Sequence, residues 1–239
     1  MPTDRRSHPT IRPHALVLGV FVRPGGPERL AFLGPETSVD LSAAMLLDTL
    51  GALSTFPVRH RLVFAIEGDP TLANTRLPAT WKRPANPLVS ERSLEQQALE
   101  HVLSLGGEAS LLVIADAPIM PLGELFDGLL ALAQPAPDSA LAALVGHTDE
   151  GGVFALGLTK NVPPAFTDAI TWGRHGNGEA LRAAATASSI EVRPSARGYV
   201  VDDATTLKRL KSDVDGGAFA PNCRKLMDRA DVTKALAGL

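Results

Sequence analysis

Four segments concentrate the groups able to do chemistry: RPGGPER at 23–29, ADAP at 115–118, HTDEGG at 147–152 and VVDDAT at 200–205. In ADAP, Asp116 follows a run of apolar residues and precedes Pro118, so its backbone is anchored while its carboxylate emerges at a rim. A carboxylate placed so rigidly either holds Mg²⁺ or Mn²⁺, which need only one or two protein carboxylates beside phosphates and water, or caps the turn that follows. Asp202 and Asp203 stand just before a helical pattern and offer a second metal ligand or an N-cap. Asp149 and Glu150 precede the pair Gly151 and Gly152. Such a carboxylate could orient or deprotonate a hydroxyl-bearing substrate, and paired glycines let backbone approach a ligand; the same residues also suit the tip of a hairpin.

Arg23 and Arg29, with the backbone of Gly25 and Gly26, could cradle a phosphate or nucleotide. That loop is neither a P-loop nor a dinucleotide fingerprint, because the Gly-Lys-Ser/Thr and G-x-G-x-x-G spacings are absent. In WGRHGNG at 172–178, Arg174, His175 and the glycines could contact an anionic or sugar ligand with Trp172 as an apolar platform; alternatively the loop is solvated and Trp172 is packing. The six histidines are scattered and the one cysteine, Cys223, has no partner, so zinc chemistry is disfavoured. No Gly-x-Ser-x-Gly elbow is present, which argues against a serine hydrolase.

Elements that could position these groups follow from periodicity. ALVLGVFV at 15–22, LVFAIEG at 62–68, LLVIA at 111–115, LAALVG at 141–146 and VFALGL at 153–158 read as strands, the last able to pair antiparallel. Helices are expected at roughly 37–54, with Leu46, Leu47, Leu50 and Leu53 on one face, after a Ser93–Gln96 capping box, and around 122–130. Residues 163–187 form a broken helical region, IEVRP and GYVVD short extended pieces, and 203–212 and 222–237 helices. Strands alternating with amphipathic helices imply a three-layer α/β/α sandwich, whose ligands bind beyond the carboxyl ends of the strands. Residues 1–13 read as a disordered arm and 14–239 as a single domain. The Leu-rich segment 222–239 packs either in cis or against a second copy, which leaves a homodimer open.

Composition bounds the partners. Lys+Arg 23 against Asp+Glu 26 gives a net charge of −3, without the basic footprint of a nucleic-acid binder. No apolar run approaches the ~18 residues of a membrane span. A lone cysteine fits a reducing compartment, so a cytoplasmic protein is expected.

The order of the segments adds a resemblance. PGGPERL at 24–30, LGPE at 33–36, LLDTL at 46–50, ADAP, EGGVFALGL at 150–158, Trp172 and VDDATTL at 201–207 follow in the order seen in a bacterial glycosyltransferase family, the radical-SAM/selenodomain-associated transferases. The chain resembles that family over roughly residues 15–210. The resemblance implies a nucleotide-diphospho-sugar transferase (GT-A) fold with a mixed, mostly parallel sheet. It further implies a nucleotide or nucleotide-sugar donor, a small-molecule acceptor, and Mg²⁺ or Mn²⁺ at the diphosphate on Asp116 and Asp202. Arg23, Arg29, Gly25 and Gly26 would receive the nucleotide, Glu150 or Asp149 the acceptor, and Gly151, Gly152, Trp172 and Arg174 would line the substrate site. The chain departs from the family at three places: a Lys-Thr pair is missing before Arg29, Glu150 replaces Asp, and Val153 replaces Tyr. Two further readings therefore compete with the glycosyltransferase: a nucleotidyltransferase releasing pyrophosphate, and a non-catalytic binding protein on the same fold.

Overall fold

The computed structural model describes residues 16–73, 75–84, 94–134, 141–159, 162–194 and 197–237. The expected arm at 1–13 and Ser93 of the expected capping box lie outside the described residues. Strands β1 (Leu16–Phe21), β2 (His60–Phe64), β3 (Ala109–Ile114), β4 (Leu141–His147), β5 (Val153–Thr159) and β6 (Ile190–Pro194) form one sheet in the order β2-β1-β3-β5-β4-β6. Only β5 runs antiparallel to its neighbours. The strand cores are fully buried Leu, Val, Ile and Phe, as strands covered on both faces must be.

The helices are α1 (Gly26–Arg29), α2 (Pro35–Leu53), α3 (Pro70–Ala73), α4 (Leu94–Ser104), α5 (Leu122–Ala133), α6 (Pro164–Thr167), α7 (Gly178–Ala187), α8 (Ala204–Asp215), α9 (Pro221–Met227) and α10 (Ala230–Ala237). From β1 the chain steps outward to β2, then back across β1 to β3. Right-handed crossovers therefore put α2 on one face and α4 on the other, with α5 beside α4, giving three layers. The expected α/β/α sandwich with a mixed, mostly parallel sheet is the fold.

Three expected elements differ in detail. In LVFAIEG the strand ends at Phe64, and the following residues turn through Gly68 (φ 77°) into Asp69, whose carboxylate accepts from the Leu72 N–H at 3.1 Å. α2 is buried on two sides: Leu46, Leu50 and Leu53 join the main core, whereas Leu41 and Met45 join a second cluster with Leu210, Cys223, Met227 and Val232. Leu47 is only half-buried. The C-terminal helix divides in two and packs in cis, α9 on α2 and α10 on α9 and the 31–33 turn. Asp48 fixes that docking by accepting hydrogen bonds from the backbone N–H groups of Asn222 and Cys223 at 3.0 and 2.9 Å.

Because β1, β2, β3, β4 and β6 are parallel, their carboxyl ends share one rim with the β4–β5 hairpin. All four segments singled out from the sequence emerge there. No helix among the described residues is long and apolar enough to cross a membrane.

Candidate functional site

The rim is built by backbone pairing that continues past the strands. Val22 N–H donates to Phe64 C=O at 2.8 Å, and Ala115 N–H to Phe21 C=O at 2.9 Å. Arg23 and Asp116 are thereby set side by side. Val201 N–H donates to Asp116 C=O at 2.9 Å, which brings the 200–205 segment across to the end of β3. Asp203 then caps α8: its side chain accepts from Thr206 N–H at 2.8 Å, and the Thr206 hydroxyl reaches back to the Asp203 backbone. The capping reading thus describes Asp203, and Asp202, one residue earlier, faces the arginines.

At the centre, Arg23 donates from Nε and Nη2 to one oxygen of Asp116, at 2.9 and 2.5 Å. Both side chains are over nine-tenths buried, 9% and 8% exposed. Arg23 Nη2 lies 3.9 Å from Asp202, and Arg29 Nη2 lies 3.6 Å from the same Asp116 oxygen. Arg174 reaches in from above, donating from Nε to Glu150 at 2.6 Å and from Nη1 to Asp203, with Asp202 at 4.0 Å. Three arginines and four carboxylates, from loops far apart in sequence, therefore meet at one place.

The cations are not equally satisfied. Arg29 Nε and Nη2 are buried and, among the described residues, have no hydrogen-bond acceptor. Burial and repulsion from Arg23 lower its pKa from the ordinary value, with Asp116 and Asp202 opposing. Burial raises the Asp202 pKa, against the pull of Arg23 and Arg174. The Arg174 hydrogen bond lowers that of Glu150. At Asp203, burial pulls upward, but hydrogen bonds from Thr206 and Arg174 bring the net shift below the ordinary value.

The glycines have a mechanical role. A Cβ on Gly152 would overlap the Gly173 carbonyl oxygen, and one on Gly176 would overlap the Gly151 carbonyl oxygen. The hairpin and the 172–176 loop lie backbone against backbone, with Gly152 N–H donating to Arg174 C=O at 3.2 Å and Gly173 N–H to Val153 C=O at 3.0 Å. Thr148 locks the arrangement: its hydroxyl accepts from Gly152 N–H at 2.9 Å and donates to the Arg174 carbonyl. Gly173, at φ 109°, leaves room for the Arg23 guanidinium, which any Cβ there would overlap. The small residues thus set the height of Arg174 above Arg23.

The structure brings Arg23, Arg29, Asp116, Glu150, Arg174 and Asp202 together. Asp149 instead pairs with Arg209 at 2.6 Å farther out. Trp172 is half-buried against the main core. Gly25, at φ 70°, and Gly26 turn the chain into α1, and Arg29 N–H donates to Gly25 C=O at 3.2 Å. Thr148, the packing of Gly173 against Arg23 and the second duty of Asp203 were missed in the sequence. A threonine four residues before a paired glycine, facing a second glycine-rich loop, is the signal that could have pointed to Thr148. Past the carboxyl end of β2, a cavity of about 270 Å³ is lined by residues that include Ala65, Ile66, Glu67, Asp69 and Arg83.

Among the described residues, no three His, Cys, Asp or Glu side chains gather as a metal site. A divalent ion needs carboxylate oxygens turned toward it. Asp116 Oδ2 accepts from Arg23 and has Arg29 Nη2 at 3.6 Å, and Asp202 lies 3.9 Å from Arg23 and 4.0 Å from Arg174. As arranged, these residues fit a guanidinium and do not fit Mg²⁺ or Mn²⁺.

No family model and no curated protein sequence matches the chain. Solved structures do match in fold. A protein of Desulfovibrio desulfuricans G20 named as a nucleotide-diphospho-sugar transferase superposes with TM-score 0.65 at 17% identity, covering 93% of this chain and 98% of that one. A 4-diphosphocytidyl-2C-methyl-D-erythritol synthase of Anaerococcus prevotii DSM 20548 gives 0.54 at 10% identity, covering 87% and 100%. A CMP:2-keto-3-deoxy-manno-octonic acid synthetase complexed with CTP gives 0.50 at 11%, covering 85% and 98%. The chain has the fold of the nucleotide-diphospho-sugar and nucleotidyl transferases. The likeness is at the level of fold and does not single out the radical-SAM/selenodomain-associated family.

Proposed function

We propose that the chain is a transferase whose donor carries a nucleoside diphosphate, with an NDP-sugar as the first candidate. One observation supports this most: Arg23, Arg29 and Arg174 converge at the carboxyl rim, and Arg29 has two buried N–H-bearing atoms without acceptors. Buried guanidinium donors without partners are costly, and diphosphate oxygens are strong acceptors matched to them. In this reading the phosphates dock on Arg29 and Arg174. The nucleoside end points toward the cavity past β2, and Gly25 and Gly26 let the first loop close against it.

Glu150 sits on the open lip with 39% of its side chain exposed, where an acceptor would arrive. Its lowered pKa makes it a weak base, so its assigned role is to orient an acceptor hydroxyl rather than to deprotonate it. Asp149 is assigned a supporting place on the same lip. Gly151 and Gly152 hold the substrate loop at its height, and Trp172 closes its apolar side. Cys223 is buried and makes no disulfide, and a cytoplasmic setting is part of this reading.

Nucleotidyl transfer is kept as a second reading, because arginines at the rim would also suit the extra phosphate of an NTP. A thermal-shift panel of nucleoside diphosphates, triphosphates and nucleotide sugars tests the proposal. A nucleoside diphosphate or its sugar should raise Tm by about 2–5 °C at saturating concentration. Product assays then separate release of nucleoside diphosphate from release of pyrophosphate. No shift with any nucleotide would favour a non-catalytic binding protein and sink the transferase.

A further inference from the structure

We infer that Arg23 occupies the position of a divalent ion between Asp116 and Asp202, and that nucleotide phosphates bind this chain without metal. The inference rests on the functional reading above for the identity of the anion, but not for the state of the two carboxylates.

Asp116 leaves β3 and Asp202 precedes α8, and the backbone bond from Val201 to Asp116 holds the two segments together. Two acidic groups so close repel each other unless a cation stands between them. The Arg23 guanidinium is that cation, with Nη2 at 2.5 Å from Asp116 and 3.9 Å from Asp202. Its place is built in. The side chain is 9% exposed, and Gly173 is shaped around it, since any Cβ at that position would overlap Nη1. Arg29 and Arg174 flank the same carboxylates at 3.6 and 4.0 Å. An entering Mg²⁺ or Mn²⁺ would meet three fixed guanidinium groups and would have to expel the buried one. The rim therefore already carries the charge that a metal would bring to a diphosphate. Arg29 supplies buried donors that have no acceptor among the described residues.

The test counts free Mn²⁺ by electron paramagnetic resonance with the full chain, alone and with UDP, GDP, CDP or ADP, alongside calorimetric titration of the same nucleotides in EDTA and in Mn²⁺. The wild type should take up no Mn²⁺ beyond that held by free nucleotide. The Kd of the bound nucleotide in EDTA should lie within about threefold of that in Mn²⁺. Arg23→Ala, which bares both carboxylates, should gain Mn²⁺ binding, and Arg23→Ala with Asp202→Asn should lose it again. Stoichiometric Mn²⁺ uptake by the wild type, abolished in Asp116→Asn, would overturn the inference while leaving the nucleotide reading intact. Absence of nucleotide binding both in EDTA and in Mn²⁺ would overturn the nucleotide reading and the metal-free phosphate site with it, while the Mn²⁺ count would still decide whether Arg23 stands in the place of the ion. If Arg23→Ala does not fold, the wild-type arms decide alone.

Discussion

Arg174 carries the charge balance of the outer rim, because Glu150 and Asp203 both depend on it. Both partners are more than a third exposed, at 39% and 42%, so these ion pairs add little to stability. Arg174→Ala should leave Tm within about 2 °C of wild type yet weaken nucleoside diphosphate binding about tenfold or more, as loss of a charge-assisted contact does; calorimetry and a melting curve check the two halves. Asp116 behaves oppositely. Asp116→Asn leaves the buried Arg23 without its counter-charge and should cost about 3 kcal/mol, read by denaturant unfolding. Asp116 was legible in the sequence, since a carboxylate after five apolar residues has to emerge at a strand end. Its partner was not: Arg23 is 93 residues away, and nothing in either local pattern says that a guanidinium rather than a metal will meet it.

At the scale of elements, the β4–β5 hairpin and the 172–176 loop work as one unit. Gly152→Ala would push the two backbones apart and lift Arg174 with its loop. Nucleotide affinity should fall as far as in Arg174→Ala, now with a stability loss of about 1–3 kcal/mol from overpacking. The hairpin also carries a pH-sensitive group. Burial holds the His147 imidazole below its ordinary 6.5, with a backbone hydrogen bond at Gly152 opposing and Arg182 and Arg197 adding to the shift. The native state then binds that proton less tightly than the unfolded chain. The stability it contributes is present above 6.5 and is lost as pH falls through the depressed pKa. His147→Gln should flatten the decline of Tm on the acid side of 6.5 relative to wild type. Strands and helices here were largely legible, because β1, β3 and β5 are unbroken apolar runs and α5 keeps one leucine face. The two-sided burial of α2 was harder to read. Leu41 and Met45 look like a continuation of one stripe, and only the return of the chain through α8 and α9 gives them a second core to enter.

For the whole molecule, one antiparallel strand within an otherwise parallel sheet places every loop of interest on a single rim. The C-terminal helices, clamped through Asp48, buttress α2 from the far side. Asp48→Ala would strand the N–H groups of Asn222 and Cys223, costing about 2–3 kcal/mol, and should lower Tm without changing nucleotide affinity at a temperature where the variant is folded. The contrast with Arg174→Ala separates scaffold from site. The order of motif segments in the sequence already pointed to this architecture. The balance of charge at the rim depends on side chains meeting across the fold and became readable only in three dimensions. Calorimetric titration with a nucleoside diphosphate and with the matching nucleoside, in wild type and in Arg29→Gln, addresses the phosphate site most directly. The diphosphate should bind wild type at least about tenfold tighter than the nucleoside, with the margin collapsing in Arg29→Gln; equal affinities for both compounds, or an unchanged margin in the variant, would rule out a phosphate site on Arg29.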